Sequence, residues 1–277
     1  MKDFNGKVAV ITGAGRGIGR GIALQCAQKG MKVVLAGYGM ESLTATSNDL
    51  QAMGAETLIV QTDVSQLADV ENLAEKSYAA FGAVDLLVNN AGVAVLASAL
   101  GSTLDDWNWV MDVNFYGVLY GVRVFAPLMM AQKTASHIVN VSSLSGILPG
   151  IGPYSVSKHA VVALSEALYY DLASKSSQVK VSVYCPGYVD TELDTIERSR
   201  PERFKANGTA MTDEQQAEFR EALSNGYSIE QSAEILFDGL EDEKLFIGPK
   251  AFLEQLPDLY SKVRKRTENI LQETNPI

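Results

Sequence analysis

Short apolar runs alternate along this chain with longer stretches whose apolar residues return every third or fourth position. "KVAVIT" (7–12) is β-branched and ends in glycines. In "IGRGIALQCAQKG" the residues Ile18, Ile22 and Cys26 stand four apart on one helical face, and Gly30 follows as a natural stop. "KVVLAG" (32–37) predicts a second strand and "MESLTATSNDLQAMG" (40–54) a helix ending at Gly54. "TLIVQTD" (57–63) and "VDLLVNNAG" (84–92) predict the third and fourth strands, separated by the helix "ADVENLAEKSYAAFG" (68–82). Residues 104–131 read as one long helix with Pro127 near its end. "HIVNVSS" (137–143), a helix over 154–175, and "VKVSVYCPG" (179–187) follow, then the helix "IEQSAEILFDGL" (229–240) and a seventh strand, "KLFIG" (244–248).

The strands show little polar alternation, as expected of a parallel sheet covered on both faces. With the strand–helix repetition, this predicts an α/β fold: a doubly wound, seven-stranded parallel sheet in a single domain over 1–277. Residues 191–228 break the rhythm, being polar and charged with helical pieces near 192–199 and 212–224. A connection this long is expected to act as a lid or substrate loop, over about 192–226. The tail 251–277 reads as a helical extension of mixed charge, suited to packing or oligomer contact.

The chain has 277 residues, a net charge of −10 and a pI near 4.8. That balance argues against nucleic acid, which selects a basic field, and against an anionic membrane surface. The two cysteines, Cys26 and Cys185, form neither a disulfide framework nor a zinc spacing, so a reducing cytoplasm is expected. The N-terminal residues carry no signal-like apolar segment, and no apolar run is long enough to imply a membrane span. No metal cluster is expected, and His137 and His159 read as structural or solvent-facing.

"TGAGRGIG" (12–19) stands where the first strand turns into a helix. Gly13, Gly17 and Gly19 permit a tight turn and close backbone approach to a pyrophosphate, which the helix N-terminus then meets with free N–H groups. Further along, "YSVSK" sets Tyr154 and Lys158 four apart, as neighbours on one helix face. An ammonium about 5 Å away at an effective dielectric near 20 favours phenolate by roughly 3 kcal/mol. A lowered phenol pKa is therefore expected.

Taken in order, "TGAGRGIG", "NNAG" (89–92), Asn114, "VSS" (141–143), "YSVSK" (154–158) and "PGYVDT" (186–191) resemble the short-chain dehydrogenase/reductase family, over about residues 5–250. The resemblance implies a Rossmann fold and an NAD(P)-dependent oxidoreductase that interconverts a secondary alcohol and a ketone. Tyr154 would transfer the proton. Lys158 would lower its pKa and hold the nicotinamide ribose, Ser143 would hydrogen-bond the reacting oxygen, and Asn114 would hold a water beside Lys158. The interval from Ser143 to Tyr154 is shorter than the family's usual one, which leaves Ser142 as the alternative serine.

For the cofactor, the resemblance implies contacts from Gly13, Gly15, Arg16, Gly17, Ile18 and Gly19. Asp63 and Val64 would lie at the adenine, and Asn90, Ala91 and Gly92 along the dinucleotide. Pro186, Gly187, Val189 and Thr191 would lie at the nicotinamide end. NAD-preferring relatives carry an acid at the end of the second strand, where this chain has Gly37, followed by Tyr38. Without that acid, and with Arg16 available for a 2′-phosphate, NADP is expected, with NAD as the alternative. Val93, Ala94, Val95, Ser145 and Tyr188 are candidate substrate walls, mostly apolar, so an uncharged, fairly hydrophobic substrate is expected. Relatives associate through the helices matching 104–131 and 154–175, which implies a homotetramer. Two rival readings are a catalytically silent dinucleotide-binding regulator and an isomerase or dehydratase on the same fold. The first is disfavoured because both Tyr154 and Lys158 are present, the second because it would not need the complete set of four.

Overall fold

The protein is described by a computed structural model covering residues 1, 3–150, 152–175, 177–204 and 212–250. Seven parallel strands form one sheet: β1 (Val8–Thr12), β2 (Lys32–Gly37), β3 (Thr57–Gln61), β4 (Leu86–Asn89), β5 (Ser136–Val141), β6 (Val179–Tyr184) and β7 (Phe246–Ile247). Their order is β3-β2-β1-β4-β5-β6-β7. The order reverses between β1 and β4, and in such sheets the crevice opens beyond the carboxyl ends of the strands at that point.

Alternation along each strand divides the core in two. Ala9, Ile11, Val33 and Leu35 face one way and pack on α1 (Gly17–Gln28), α2 (Met40–Ala52) and α8 (Ile229–Glu241) through Ile22, Leu50 and Phe237. Val8, Val10, Val34 and Ala36 face the other way. They meet α3 (Leu67–Phe81), α5 (Gly117–Ala131) and α6 (Gly152–Ser174) through Leu73, Phe125 and Val161. Both faces are thus covered, which is why every residue of β1 is buried.

The strands stop short of the predicted ends. Expected through 63, 92, 143 and 187, the ladders end at Gln61, Asn89, Val141 and Tyr184. Beyond β4 the backbone turns to side-chain partners: the N–H groups of Asn90 and Ala91 donate to Thr12 Oγ1 at 2.9 and 3.1 Å. The segments that follow β4 and β5 border the crevice.

The helix expected over 104–131 is not uniform. It is α4 (Leu104–Met111), one π turn at Asp112–Tyr116, and α5. The wide turn contains Asn114, fully buried and bonded to the backbone of Val93 from both ends of its amide. Single π turns inside helices recur at functional sites. Among the described residues this stretch alone is long and apolar enough, by length and composition, to cross a membrane. Its inner side is core: Val118, Val122 and Phe125 pack on the sheet.

The insertion after β6 contains 3₁₀ turns at Leu193–Ser199 and Glu202–Phe204, then α7 (Asp213–Ser224). Its base is pinned by Asp190 N–H donating to Tyr227 O at 2.8 Å and Tyr227 N–H donating to Tyr188 O at 3.0 Å. The extension expected over 251–277 and part of the expected lid, 205–211, lie outside the described residues.

Candidate active site

A cleft of about 490 Å³ lies over the carboxyl ends of the central strands. Its floor at β1 is the glycine loop. Gly13 and Gly17 have φ of +66° and +53°, the left-handed region where glycine alone is unstrained. Gly19 does not border the cleft. A side chain there would lie 2.2 Å from the Gly13 carbonyl oxygen, so its role is to let α1 sit against the loop. Helices α4, α7 and α8 each begin with a capping box. Helix α1 has no side-chain cap hydrogen bond and no acid in its first turn, so its leading N–H groups are open to an anion.

Gly13, Gly15, Arg16, Gly17 and Ile18 line this part of the cleft, with Gly37, Tyr38, Asp63 and Val64 beside them. Tyr38 is 62% exposed. Arg16 lies 3.8 Å from the exposed carboxylate of Glu192. Asp63 accepts from the Ser65 hydroxyl at 2.6 Å and pairs with Arg203 at 3.4 Å. Ser42, which the motifs did not single out, also lines the cleft and bonds the Gly39 carbonyl. Asn90, Ala91, Gly92, Pro186, Gly187, Val189 and Thr191 continue the wall.

At the far end stand Ser143, Tyr154 and Lys158. Ser142 and Ser143 both border the cleft, Ser142 buried and Ser143 half-buried. Ser142 is buried and donates to the Lys158 carbonyl at 2.8 Å, tying the end of β5 to α6. Ser143 lines the cleft together with Tyr154 and accepts from Ser145 N–H at 3.1 Å. Lys158 is buried, with Nζ donating to Val141 O at 3.0 Å and lying 5.7 Å from the centre of the Tyr154 ring. Asn114 does not border the cleft. Its amide donates to Ser157 Oγ at 3.0 Å, and Ser157 in turn donates to the Tyr154 carbonyl at 2.7 Å. Ser157 was missed by the motif reading, although it stands inside "YSVSK". Gly92 sits where a side chain would meet both Lys158 Nζ and Asn114 Oδ1, at 3.4 and 3.5 Å.

Burial governs the electrostatics. It draws the Lys158 ammonium down to about 8. It also pushes the Tyr154 phenol above its ordinary value, against the lowering by the Ser143 hydrogen bond. The downward shift expected from the tyrosine–lysine spacing is therefore reversed in the protein alone: desolvating the phenolate outweighs its stabilisation.

The proposed substrate residues divide. Val93 lines the cleft, joined by Trp109, Val113, Leu193 and Ile196. Val95 is instead buried in the apolar cluster behind that wall. Ala94 is buried as well, and Ser145 is placed by its bond to Ser143. Tyr188 borders a separate hollow of about 250 Å³ with Leu96 and Phe219. His137 is buried against Ser182, and His159 bonds the Ser155 carbonyl. No cluster of metal-ligating side chains occurs among the described residues.

The geometry fits a dinucleotide on three counts: the uncapped N-terminus of α1, the glycine backbone at the crevice, and the buried ammonium at its far end. Comparison with known proteins agrees. A family model described as short chain dehydrogenase matches residues 7–202. A CLA biosynthesis dehydrogenase/reductase of Lactiplantibacillus plantarum is 35% identical over 256 residues, 89% of this chain and 89% of that protein. A C alpha-dehydrogenase of Sphingobium sp. (strain NBRC 103272 / SYK-6) is 31% identical over 280 residues, 100% of this chain and 89% of that protein. The crystal structure of a short chain dehydrogenase/reductase from Burkholderia phymatum in complex with NAD is similar, with a TM-score of 0.90 and 42% identity. It covers 100% of this chain and 98% of that one.

Proposed function

From the membership of this chain in the short-chain dehydrogenase/reductase family, we propose that it interconverts an uncharged, fairly hydrophobic secondary alcohol and a ketone, with preference for NADP(H). The observation that carries this reading is the convergence of Ser143, Tyr154 and Lys158 at one end of the cleft, with the Lys158 ammonium 5.7 Å from the centre of the Tyr154 ring. The bound nicotinamide supplies or accepts the hydride. In the reducing direction the Tyr154 hydroxyl gives its proton to the carbonyl oxygen, and Ser143 donates a hydrogen bond to the same oxygen. Lys158 carries a positive charge on the side of the developing phenolate, where it counts most in a site of low polarity. Asn114 acts at one remove, holding the Val93 backbone and, through Ser157, the first turn of the tyrosine helix.

Gly13, Gly15, Gly17 and Ile18 would hold the pyrophosphate, Asp63 and Val64 the adenine side, and Thr191 with the Pro186–Gly187–Val189 stretch the nicotinamide side. NADP is favoured because the end of β2 offers Gly37 in place of a carboxylate, and because Arg16 is half-exposed and paired at 3.8 Å with the solvent-facing Glu192. An exposed pair of this kind is worth little and yields readily to a phosphate. The NAD in the Burkholderia protein keeps NAD as the alternative. Around the reacting end, Val93, Trp109, Val113, Leu193 and Ile196 form an apolar wall with no charged side chain, which suits a neutral substrate. We also assign a homotetramer, built through α5 and α6, and a reducing compartment, in keeping with the buried free thiols of Cys26 and Cys185.

The test is direct. The protein is mixed with NADPH or NADH and a panel of ketones, and absorbance at the nicotinamide band is followed. Ketone-dependent loss of NADPH absorbance is expected. No turnover across the panel, in either direction, with the cofactor bound, would overturn the reading in favour of a silent binder.

A further inference from the structure

Residues 193–204, two short 3₁₀ turns joined at Arg200 and Pro201, wall the cleft. Leu193, Ile196, Ser199 and Pro201 line it. Arg200, between two of these, sends its side chain the other way. Its Nη2 lies 2.7 Å from Asp106 Oδ1, with side-chain exposures of 2% and 0%. Its guanidinium stacks 4.3 Å from the centre of the Trp109 ring, and Nη1 reaches the Phe204 carbonyl at 3.4 Å. Asp106 is itself fixed, because its other oxygen accepts from Thr103 N–H and Oγ1, both at 2.9 Å, in the capping box of α4. Trp109 borders the cleft on its inner side. One guanidinium thus joins the start of α4, the aromatic wall and the segment facing it.

We propose that Arg200 is a positioning residue. Seated in a socket made by Asp106 and Trp109, it fixes the 193–204 segment as the substrate-side wall without touching substrate. Other ion pairs of this segment each keep one partner in solvent: Arg203–Asp63 has side-chain exposures of 44% and 19%, and Arg220–Asp194 of 35% and 6%, so salt screens them more. The buried pair is different in kind. A planar guanidinium can pair and stack at once, which an ammonium cannot. Its loss takes the guanidinium away from a fully buried carboxylate. The segment should then detach locally while the sheet remains, since such openings occur as local units.

The substrate part of this inference rests on the proposed function, so the test has two independent arms. The first compares amide hydrogen exchange in the full chain and in Arg200→Lys and Arg200→Met. Exchange over 193–204 should rise about tenfold or more in Arg200→Met and by less in Arg200→Lys, with β1, β4 and β5 unchanged. The second uses acetophenone with NADPH. The KM for acetophenone should rise about tenfold in Arg200→Met while kcat and the NADPH dissociation constant change by less than about threefold, and Arg200→Lys should recover part of the loss. Unchanged exchange in a folded Arg200→Lys overturns the clamp. So does loosened exchange with an unaltered acetophenone KM, which would make the pair structural only. Should Arg200→Met not fold, the Lys variant decides both arms. If the unmodified protein reduces no ketone, the functional reading falls and the exchange arm still decides the clamp.

Discussion

The Lys158 ammonium lies 5.7 Å from the centre of the Tyr154 ring while its proton is donated to the Val141 carbonyl at 3.0 Å. The two side chains share a face of α6, yet the lysine is spent on the end of β5 rather than on the phenol oxygen. Removing the phenol oxygen alone should therefore leave lysine, helix and cofactor cradle intact. Tyr154→Phe is expected to lose about 10²–10⁴ in kcat, the usual worth of a positioned proton donor, with NADPH affinity retained by fluorescence titration. A kcat near that of the unmodified protein would refute the assignment. Lys158→Ala should lower kcat and weaken NADPH binding together, because one ammonium is assigned both tasks.

The two serines separate by their hydrogen bonds. Ser143→Ala should reduce kcat with little change in stability, since its hydroxyl lines the cleft and accepts only from the nearby Ser145 N–H among the described residues. Ser142→Ala should act on stability, by about 1–2 kcal/mol for a buried hydrogen bond to a carbonyl. Urea unfolding alongside steady-state kinetics distinguishes them. The reverse pattern would make Ser142 the catalytic serine.

Cofactor choice can be altered at one glycine. A Cβ on Gly37 would meet its nearest neighbour, Leu43 Cδ2, at 3.5 Å, an ordinary contact, so Gly37→Asp is sterically tolerated. The new carboxylate should shift kcat/KM toward NAD by roughly ten- to a hundred-fold, the reach of a charge-assisted hydrogen bond and its loss. Arg16→Ala should weaken NADP more than NAD. A higher kcat/KM with NAD than with NADP in the unmodified protein would sink the preference outright.

Stability should depend on pH through His137. Ser182 Oγ donates to the Lys244 carbonyl at 2.6 Å, so it accepts from His137 Nε2–H. Nδ1 is buried with no hydrogen-bond partner among the described residues. The imidazole is thus held neutral, and burial draws its pKa from 6.5 down to about 3. Between these values the unfolded chain binds the extra proton, so this contribution is complete above pH 6.5 and is lost as pH falls toward 3. The slope is up to about 1.4 kcal/mol per pH unit. His137→Val should flatten the urea midpoint between pH 6.5 and 4, relative to the unmodified protein. Identical slopes would show that the histidine titrates freely.

On the outer face of α6, Val156, Ala163, Ala167 and Tyr170 recur at helical spacing and are exposed, as are Tyr116 and Leu128 on the adjoining segments. Such a stripe on a helix whose other side is already core calls for a partner. Light scattering should give four times the chain mass at micromolar concentration, and Ala167→Arg should lower it. A monomer mass for the unmodified chain would refute the tetramer.

The strand–helix alternation, the glycine loop after β1 and the four-residue spacing of Tyr154 and Lys158 are local patterns, and the sequence by itself determined them. A parallel strand buried on both faces is apolar throughout, and a turn with positive φ favours glycine. Other features depended on tertiary structure. That Ser142 is engaged by the Lys158 carbonyl while Ser143 is not follows from how α6 docks on the end of β5, which no local period supplies. The direction of the Tyr154 shift is set by how much water the surrounding protein removes, a sum over elements remote in sequence. The end of β4 is set by Thr12, whose hydroxyl replaces the ladder partner of Asn90 and Ala91. The socket of Arg200 needs Asp106 and Trp109 from another part of the chain, and no spacing rule connects them, because burying a charge is tolerable only where the fold has already assembled its partner.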